Sequence, residues 1–188
     1  MIWGNLKNLL DIRANLYYSK NMNFEQFGYV EKNGILAFLG GPLSQWYNEN
    51  SSFFMDEIRY KSVEQYKQAS KANLFDDFDK EEEILLEGDP IINSQQGREV
   101  KNFDQTIWDN HVQSFIFWGN LMKFRYNSEL REILYKTNDL VLAEASDDKI
   151  WGCGYTLNRE EIFDKDKWTG ENTYGKILMD VRDIILTD

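Results

Sequence analysis

Apolar positions along the chain recur at two spacings, and each predicts a different element. Tyr29 to Gly34 and then Ile35 to Leu39 read as a hairpin, with Asn33-Gly34 supplying the positive backbone angles of a tight turn and Gly40-Gly41-Pro42 ending it. Phe53 to Tyr60 reads as a second short hairpin around Met55-Asp56-Glu57. Helical spacing takes over at Ser62, whose hydroxyl caps a helix running to about Leu74 while Gln65 completes a capping box. Another helix from about Asp79 stops at Gly88-Asp89-Pro90, and a weaker one spans Ile92 to Val100. The longest pattern runs from Asp104 to Tyr126, where Trp108, Val112, Phe115, Gly119 and Met122 recur every three or four residues as a buried stripe. Ser128 caps a helix to about Tyr135, and Leu140 to Ala143 reads as a short strand. Asn172 opens a last helix that turns Tyr174, Ile177, Leu178, Val181 and Ile185 to the core. Near the N-terminus Leu6, Leu9, Leu10 and Ala14 fit one more short helix. The expected architecture is mainly α with a small β element, in a single compact domain over residues 1–188, without repeat or linker.

Composition narrows the function classes. A chain of 188 residues suits one continuous core better than two. Its 6 Trp, 10 Tyr and 12 Phe leave rings to line a pocket for a planar ligand once the core is filled. No apolar stretch reaches membrane-spanning length, and the N-terminus lacks the basic-then-apolar pattern of a signal peptide. A lone Cys153 excludes an intrachain disulfide. These features predict a cytoplasmic protein without a membrane partner. With one His (His111) and one Cys, neither a protein-built metal site nor a cofactor is expected. The net charge of −11 opposes extended contact with nucleic-acid phosphates. Arg98, Lys101, Lys123, Arg125 and Arg131 are candidates for a local basic patch that would accept a phosphate or strand end.

Two segments carry candidate chemistry. Glu64, Gln68 and Lys71 lie at i, i+4 and i+7, on one face of the Ser62 helix. A carboxyl group there can transfer protons, and an amine can attack an opened anomeric carbon to give an imine. By spacing alone, a solvated polar face with Lys67 and Lys71 offsetting Glu64 is the commoner reading. The second segment is Asp148-Lys149-Ile150-Trp151-Gly152-Cys153-Gly154. Its glycines let backbone approach a ligand while Trp151 stacks on a base or ribose; a tight loop with Trp151 plugging the core fits it as well. His111 and Cys153 read as structural residues.

Five blocks in order resemble the NADAR (YbiA-like) family. They are Phe38 to Tyr47 (FLGGPLSQWY), Ile58 to Tyr66 with Ala69, Lys71 and Ala72, and Gly119 to Phe124 with Glu129-Leu130-Arg131. Leu142 to Ser146 with Asp148 and Trp151 to Gly154 follow, and then Gly170-Glu171-Asn172, Gly175-Lys176, Leu178-Met179 and Arg182. The resemblance covers about residues 38–182 and leaves the first thirty unassigned. It implies hydrolysis of an N-glycosidic bond, without a cofactor, on an ADP-ribose-containing substrate such as ADP-ribosylated guanine in DNA or a nucleotide. Family branches that act on phosphoribosylated riboflavin-pathway intermediates, or a binding module for ADP-ribose, are the alternatives. Where the flavin-pathway branch tends to carry Asp between the glycines, this chain has Cys153, and its GGPLSQWY opening resembles the ADP-ribose branch.

The same resemblance implies Lys71 as the lysine that forms a Schiff base with the ribose and Glu64 as its catalytic glutamate. Substrate-binding positions implied with them are Gln45, Trp46, Arg59, Trp108, Asn120, Asp148, Trp151, Gly152, Gly154 and Asn172. Asn172 and the backbone amides at the start of the last helix are candidates to meet the pyrophosphate. Such a mechanism needs Lys71 neutral part of the time. Desolvation or a cationic neighbour would favour that, and Glu64 would oppose it.

Overall fold

The computed structural model describes residues 23–187, so the helix expected between Leu6 and Ala14 lies outside the described residues. β1 (Val30–Lys32) and β2 (Ile35–Phe38) form the first hairpin, turned by Asn33 and Gly34 at φ 54° and 75°. β3 (Phe53–Met55) and β4 (Ile58–Tyr60) form the second, turned by Asp56 and Glu57, also at positive φ. α1 (Val63–Leu74), α2 (Phe78–Leu86), α3 (Pro90–Gln96), α4 (Gln105–Tyr126) and α5 (Ser128–Lys136) follow. The chain then returns as β5 (Val141–Glu144) and ends in α6 (Thr173–Thr187). β5 pairs parallel with β2, from Ile35 opposite Val141 to Phe38 opposite Glu144, giving the order β1-β2-β5. The fold is mainly helical with this small sheet, and no helix among the described residues is long and apolar enough to cross a membrane.

Several boundaries differ from the sequence expectation for identifiable reasons. Ser62 Oγ accepts from the Gln65 N–H at 3.1 Å as expected, but the Gln65 side chain returns its bond to the Lys61 N–H instead of Ser62. Its amide nitrogen then donates to the Ile84 and Glu87 carbonyls, which fixes the start of α1 against the end of α2. α3 starts at Pro90 rather than Ile92, because Asp89 caps the Ile91 N–H and proline suits a first helical position. It ends at Gln96, short of Val100. Ser128 is the first helical residue of α5 and not its cap; Asn127 holds the cap position and spends its amide on the Ser52 and Lys123 carbonyls.

β2 is buried on both faces, which is why it reads as a continuous apolar run instead of an alternation. Leu36, Phe38 and Leu142 pack toward Ile116, Phe124, Tyr174, Leu178 and Val181 of α4 and α6. Ile35, Ala37, Ala143 and Cys153 pack on the other face against Ile162 and Phe163. A separate cluster joins Phe53, Tyr60, Val63, Tyr66 and Ala69 to Ile84. α4 therefore lies between two cores, and its buried surface is wider than a single stripe: Ile116, Asn120, Leu121, Lys123 and Phe124 are buried beside Val112 and Gly119. α1 crosses α4 at Gly119, where a Cβ would stand 2.9 Å from both Val63 Cγ1 and Tyr66 Cδ1. α6 meets β5 at Gly175, where a Cβ would stand 2.2 Å from the Leu142 carbonyl oxygen.

Candidate active site

The polar face of α1 is not solvated. Glu64 is fully buried, and its two oxygens accept from Lys67 Nζ at 2.6 Å and Gln68 Nε2 at 2.7 Å. A carboxylate taken out of water needs this compensation, since an unpaired one is strongly disfavoured there. The Glu64 N–H in turn donates to the Gln45 carbonyl at 2.9 Å, so the loop after β2 seats on the first turn of α1. That loop is itself clamped. Lys123, buried in α4, donates to the Pro42 and Ser44 carbonyls, and the Tyr174 hydroxyl donates to the Leu43 carbonyl.

One turn further along α1, Lys71 leaves this cluster. Its ammonium donates to the Gly97 carbonyl at 2.7 Å and sits 4.1 Å from the Phe103 ring centroid and 5.4 Å from that of Trp108. Burial, reinforced by the charge of Lys67, holds its pKa below the ordinary lysine value. A cavity of about 140 Å³ opens here. α1 lines it with Lys67, Gln68 and Lys71; α3 and its C-terminal turn contribute Ser94, Gly97 and Arg98. α4 contributes Trp108 and Val112, and the loop after β5 contributes Trp151. Two further cations, Lys67 and Arg98, and two indoles thus meet around the half-buried amine of Lys71. Such a cleft suits an anionic ligand with a planar or sugar portion and has an amine of lowered pKa in its wall.

Residues 38–186 match the NADAR domain. The chain belongs to the NADAR family. It is 37% identical over 144 residues to the protein named N-glycosidase R617 of Acanthamoeba polyphaga mimivirus, covering 74% of this chain and 85% of that one. It is 32% identical over 133 residues to the protein irg-1 of Caenorhabditis elegans, covering 69% of this chain and 63% of that one. The solved structure of the Escherichia coli protein YbiA superposes with a TM-score of 0.67 at 23% identity, over 87% of this chain and 91% of YbiA. The NADAR chain therefore has a YbiA-like fold.

Within this NADAR domain the expected site residues separate into groups. Lys71, Trp108 and Trp151 line the cleft, and Glu64 holds two of its lining residues, Lys67 and Gln68, from beneath. Asp148 shapes the tryptophan loop by accepting from the Ile150 and Trp151 N–H groups at 2.8 Å each. Gly152 and Gly154 allow that loop to pack on Ser146 and Gly170; a Cβ at either position would stand under 3.0 Å from backbone there. Gln45 meets α1 through its carbonyl, while its side-chain oxygen is buried without a partner among the described residues. Trp46 is 38% exposed and does not line the cleft. Arg59 faces a different depression, with Ser52, Lys61 and Asn127. Asn120 is buried in α4, bonded to the Ile116 carbonyl and to the Tyr174 hydroxyl.

Two expectations require correction. Asn172 does not face a ligand: its side chain bridges the Glu144 N–H and the Leu142 carbonyl. The backbone N–H groups of residues 171–174 are taken by the carbonyls of Lys149, Gly152, Ile150 and Trp151, so the start of α6 has no free amides there for a pyrophosphate. The five-residue basic patch does not form either. Lys123 is wholly buried, Lys101 pairs with Asp77, and only Arg98 lines the cleft. Sequence reading missed Ser94, Gly97 and Phe103 around Lys71, since nothing in the spacing of α1 points to a turn 26 residues away. It also missed Glu144, although an acid ending an otherwise apolar strand is a recognisable signal. Burial first, then the charge of Asp148, pushes that carboxyl up to about 7, with Lys67 opposing. His111 is exposed on α4, and Cys153 is buried with its thiol pushed up by desolvation, so neither acts in the cleft.

Proposed function

We propose that this chain is a cytoplasmic N-glycosidic-bond hydrolase that removes ADP-ribose from ADP-ribosylated guanine through a Schiff base on Lys71. The observation that carries this is the Lys71 amine. It is half-buried between two aromatic rings, its pKa is lowered by burial and by Lys67, and its hydrogen bond goes to a carbonyl and not to Glu64. The name of the mimivirus relative and the family membership agree with a glycosidic substrate.

In this reading the pyrophosphate is held by Lys67 and Arg98, and Trp108 and Trp151 stack on the base or ribose. Neutral Lys71 attacks the anomeric carbon, and the electron pair of the carbon–nitrogen bond leaves with the base. The sugar ring opens to the imine, and water hydrolyses it, restoring the lysine and releasing ADP-ribose. Glu64 serves by fixing Lys67 and Gln68 in the cleft wall.

The two cations that line the cleft beside Lys71, Lys67 and Arg98, favour a ligand with more than one phosphate over the phosphoribosylated flavin-pathway intermediate. Incubation with an ADP-ribosylated guanine oligonucleotide should release free ADP-ribose, and borohydride should trap an adduct on Lys71. Lys71→Met should lose the adduct and at least about 100-fold of the rate while binding ADP-ribose within about tenfold of the unaltered protein, as expected for loss of a covalent catalyst. Release from a phosphoribosylated pyrimidine instead would transfer the activity to the second substrate class. Tight ADP-ribose binding without turnover of either would make the protein a binding module.

A further inference from the structure

The reaction above leaves a proton unassigned. The nitrogen that departs from the anomeric carbon has to be protonated, and Glu64 is not arranged to do it. Both of its oxygens accept from strong donors, an ammonium and an amide, and the group has no accessible surface. A second acid stands nearby. Glu144 ends β5, opposite Phe38 in the parallel pair. Its backbone is fixed on three sides: its N–H donates to Asn172 Oδ1, and its carbonyl accepts from the N–H groups of Ser146 and Cys153.

Its side chain keeps one oxygen unengaged among the described residues. Oε2 is buried with no hydrogen-bond partner among the described residues, while the residue as a whole keeps partial access to solvent. A buried acceptor left without a partner is costly, so such groups are rare in native folds unless they serve a ligand or a reaction. The charged and titratable groups around it are Lys67 from α1, Asp148 and Cys153 from the loop after β5, and Tyr174 from α6. Lys67 lines the Lys71 cleft, and Tyr174 feels the charges of both Glu64 and Glu144. Lys67 is ion-paired with Glu64 and acts on Glu144 through its charge, so one carboxyl near it is saturated by donors while the other keeps an oxygen without one among the described residues.

We propose that Glu144 is the acid of this site, donating its proton to the departing base nitrogen; this rests on the hydrolase reading above. As the carbon–nitrogen bond breaks, its electron pair stays on the nitrogen, which takes the Glu144 proton. The carboxylate that remains is balanced by Lys67. The water that hydrolyses the Lys71 imine returns a proton to Glu144, so the cycle closes without a further reactant. Burial supplies the protonated form, since it holds this carboxyl up at about 7.

The pH profile on an ADP-ribosylated guanine oligonucleotide tests this. The reactive form needs Lys71 neutral and Glu144 protonated. Below about 7 the rate therefore rises with pH as neutral lysine accumulates. Above that point, each gain in neutral lysine is cancelled by a loss of acid, so the profile breaks to a plateau until Lys71 has titrated. Glu144→Gln keeps the shape and the hydrogen-bonding capacity but has no proton to give. It should lose about 100-fold or more in kcat, the usual reach of general acid catalysis, with KM changed less than about threefold. Its break near 7 should vanish, leaving a rate that climbs until Lys71 titrates. Glu144→Asp should recover part of both. A Glu144→Gln variant with full rate and an unchanged break overturns the assignment while the hydrolase reading stands. An unaltered protein that releases no ADP-ribose overturns both. The carboxyl can also be followed without turnover, by carbon-13 NMR of the unaltered protein. A glutamate carboxyl titrating near 7 and absent from Glu144→Gln is the expected result, and its titration at the ordinary value overturns the proposal.

Discussion

Lys71 lies seven residues after Glu64 on one helix, yet its ammonium bonds a carbonyl 26 residues further along the chain. That separation removes the conflict the sequence raised. The carboxylate that would keep Lys71 charged is occupied by Lys67 and Gln68, and the nearest effect of Lys67 on Lys71 is to lower its pKa. Lys67→Met removes that neighbour and frees Glu64, and both changes raise the Lys71 pKa. The expected outcome is a displacement to higher pH of the part of the rate profile set by Lys71, read from kcat/KM between pH 6 and 10. The variant should also lose about 3 kcal/mol in urea unfolding, because a fully buried carboxylate is left with one donor in place of two. The spacing of Glu64, Gln68 and Lys71 was legible in the sequence. Its chemical meaning was not, because what distinguishes a solvated stripe from a site is the set of elements covering it, here the α3 turn and the loop after β2.

At the scale of elements, the short segments do most of the positioning. The loop after β2 has almost no regular structure of its own, but Lys123 of α4 donates two hydrogen bonds into it, and Tyr29 bonds the Leu43 N–H and the Gly40 carbonyl. A neutral amine has the two N–H groups that these carbonyls require. Desolvation brings Lys123 down from 10.5 to about 7, so between those values the unfolded chain binds more protons than the native one. Native stability therefore gains from this residue as pH rises through that window, and below about 7, where both states are charged, the desolvation cost is carried in full. The stability difference between the unaltered protein and Lys123→Met, measured by urea melts, should move in favour of the unaltered protein from pH 7 to pH 10. A difference independent of pH would contradict the burial of this amine.

At the scale of the molecule, a chain of net charge −11 gathers Lys67, Lys71 and Arg98 around one cleft. The surrounding acidity repels polyanions in general, so attraction of a phosphate-bearing substrate has to be local and only moderately long-ranged. Raising ionic strength from about 0.05 to 0.2 M should lower kcat/KM by several-fold through KM, without the losses of about 10³ or more expected for an extended DNA interface. Arg98→Ala should remove most of that salt sensitivity. A steep salt dependence in the unaltered protein would indicate a strand-binding surface beyond the cleft.

The sequence by itself determined the order and kind of the elements, because hairpin turns, caps and apolar periodicity are local properties of a few neighbouring residues. Asn33-Gly34, Ser62 and the helical spacing after Asn172 each appear where they were read. Motif order also determined the family. Only the tertiary structure decided which polar groups are satisfied. It committed the Asn172 side chain to β5 and the backbone at the start of α6 to the tryptophan loop, buried Lys123 away from any basic patch, closed both oxygens of Glu64 and, among the described residues, left one oxygen of Glu144 without a partner. Protonation and reactivity depend on burial and on partners brought together from distant parts of the chain, and no local pattern encodes either.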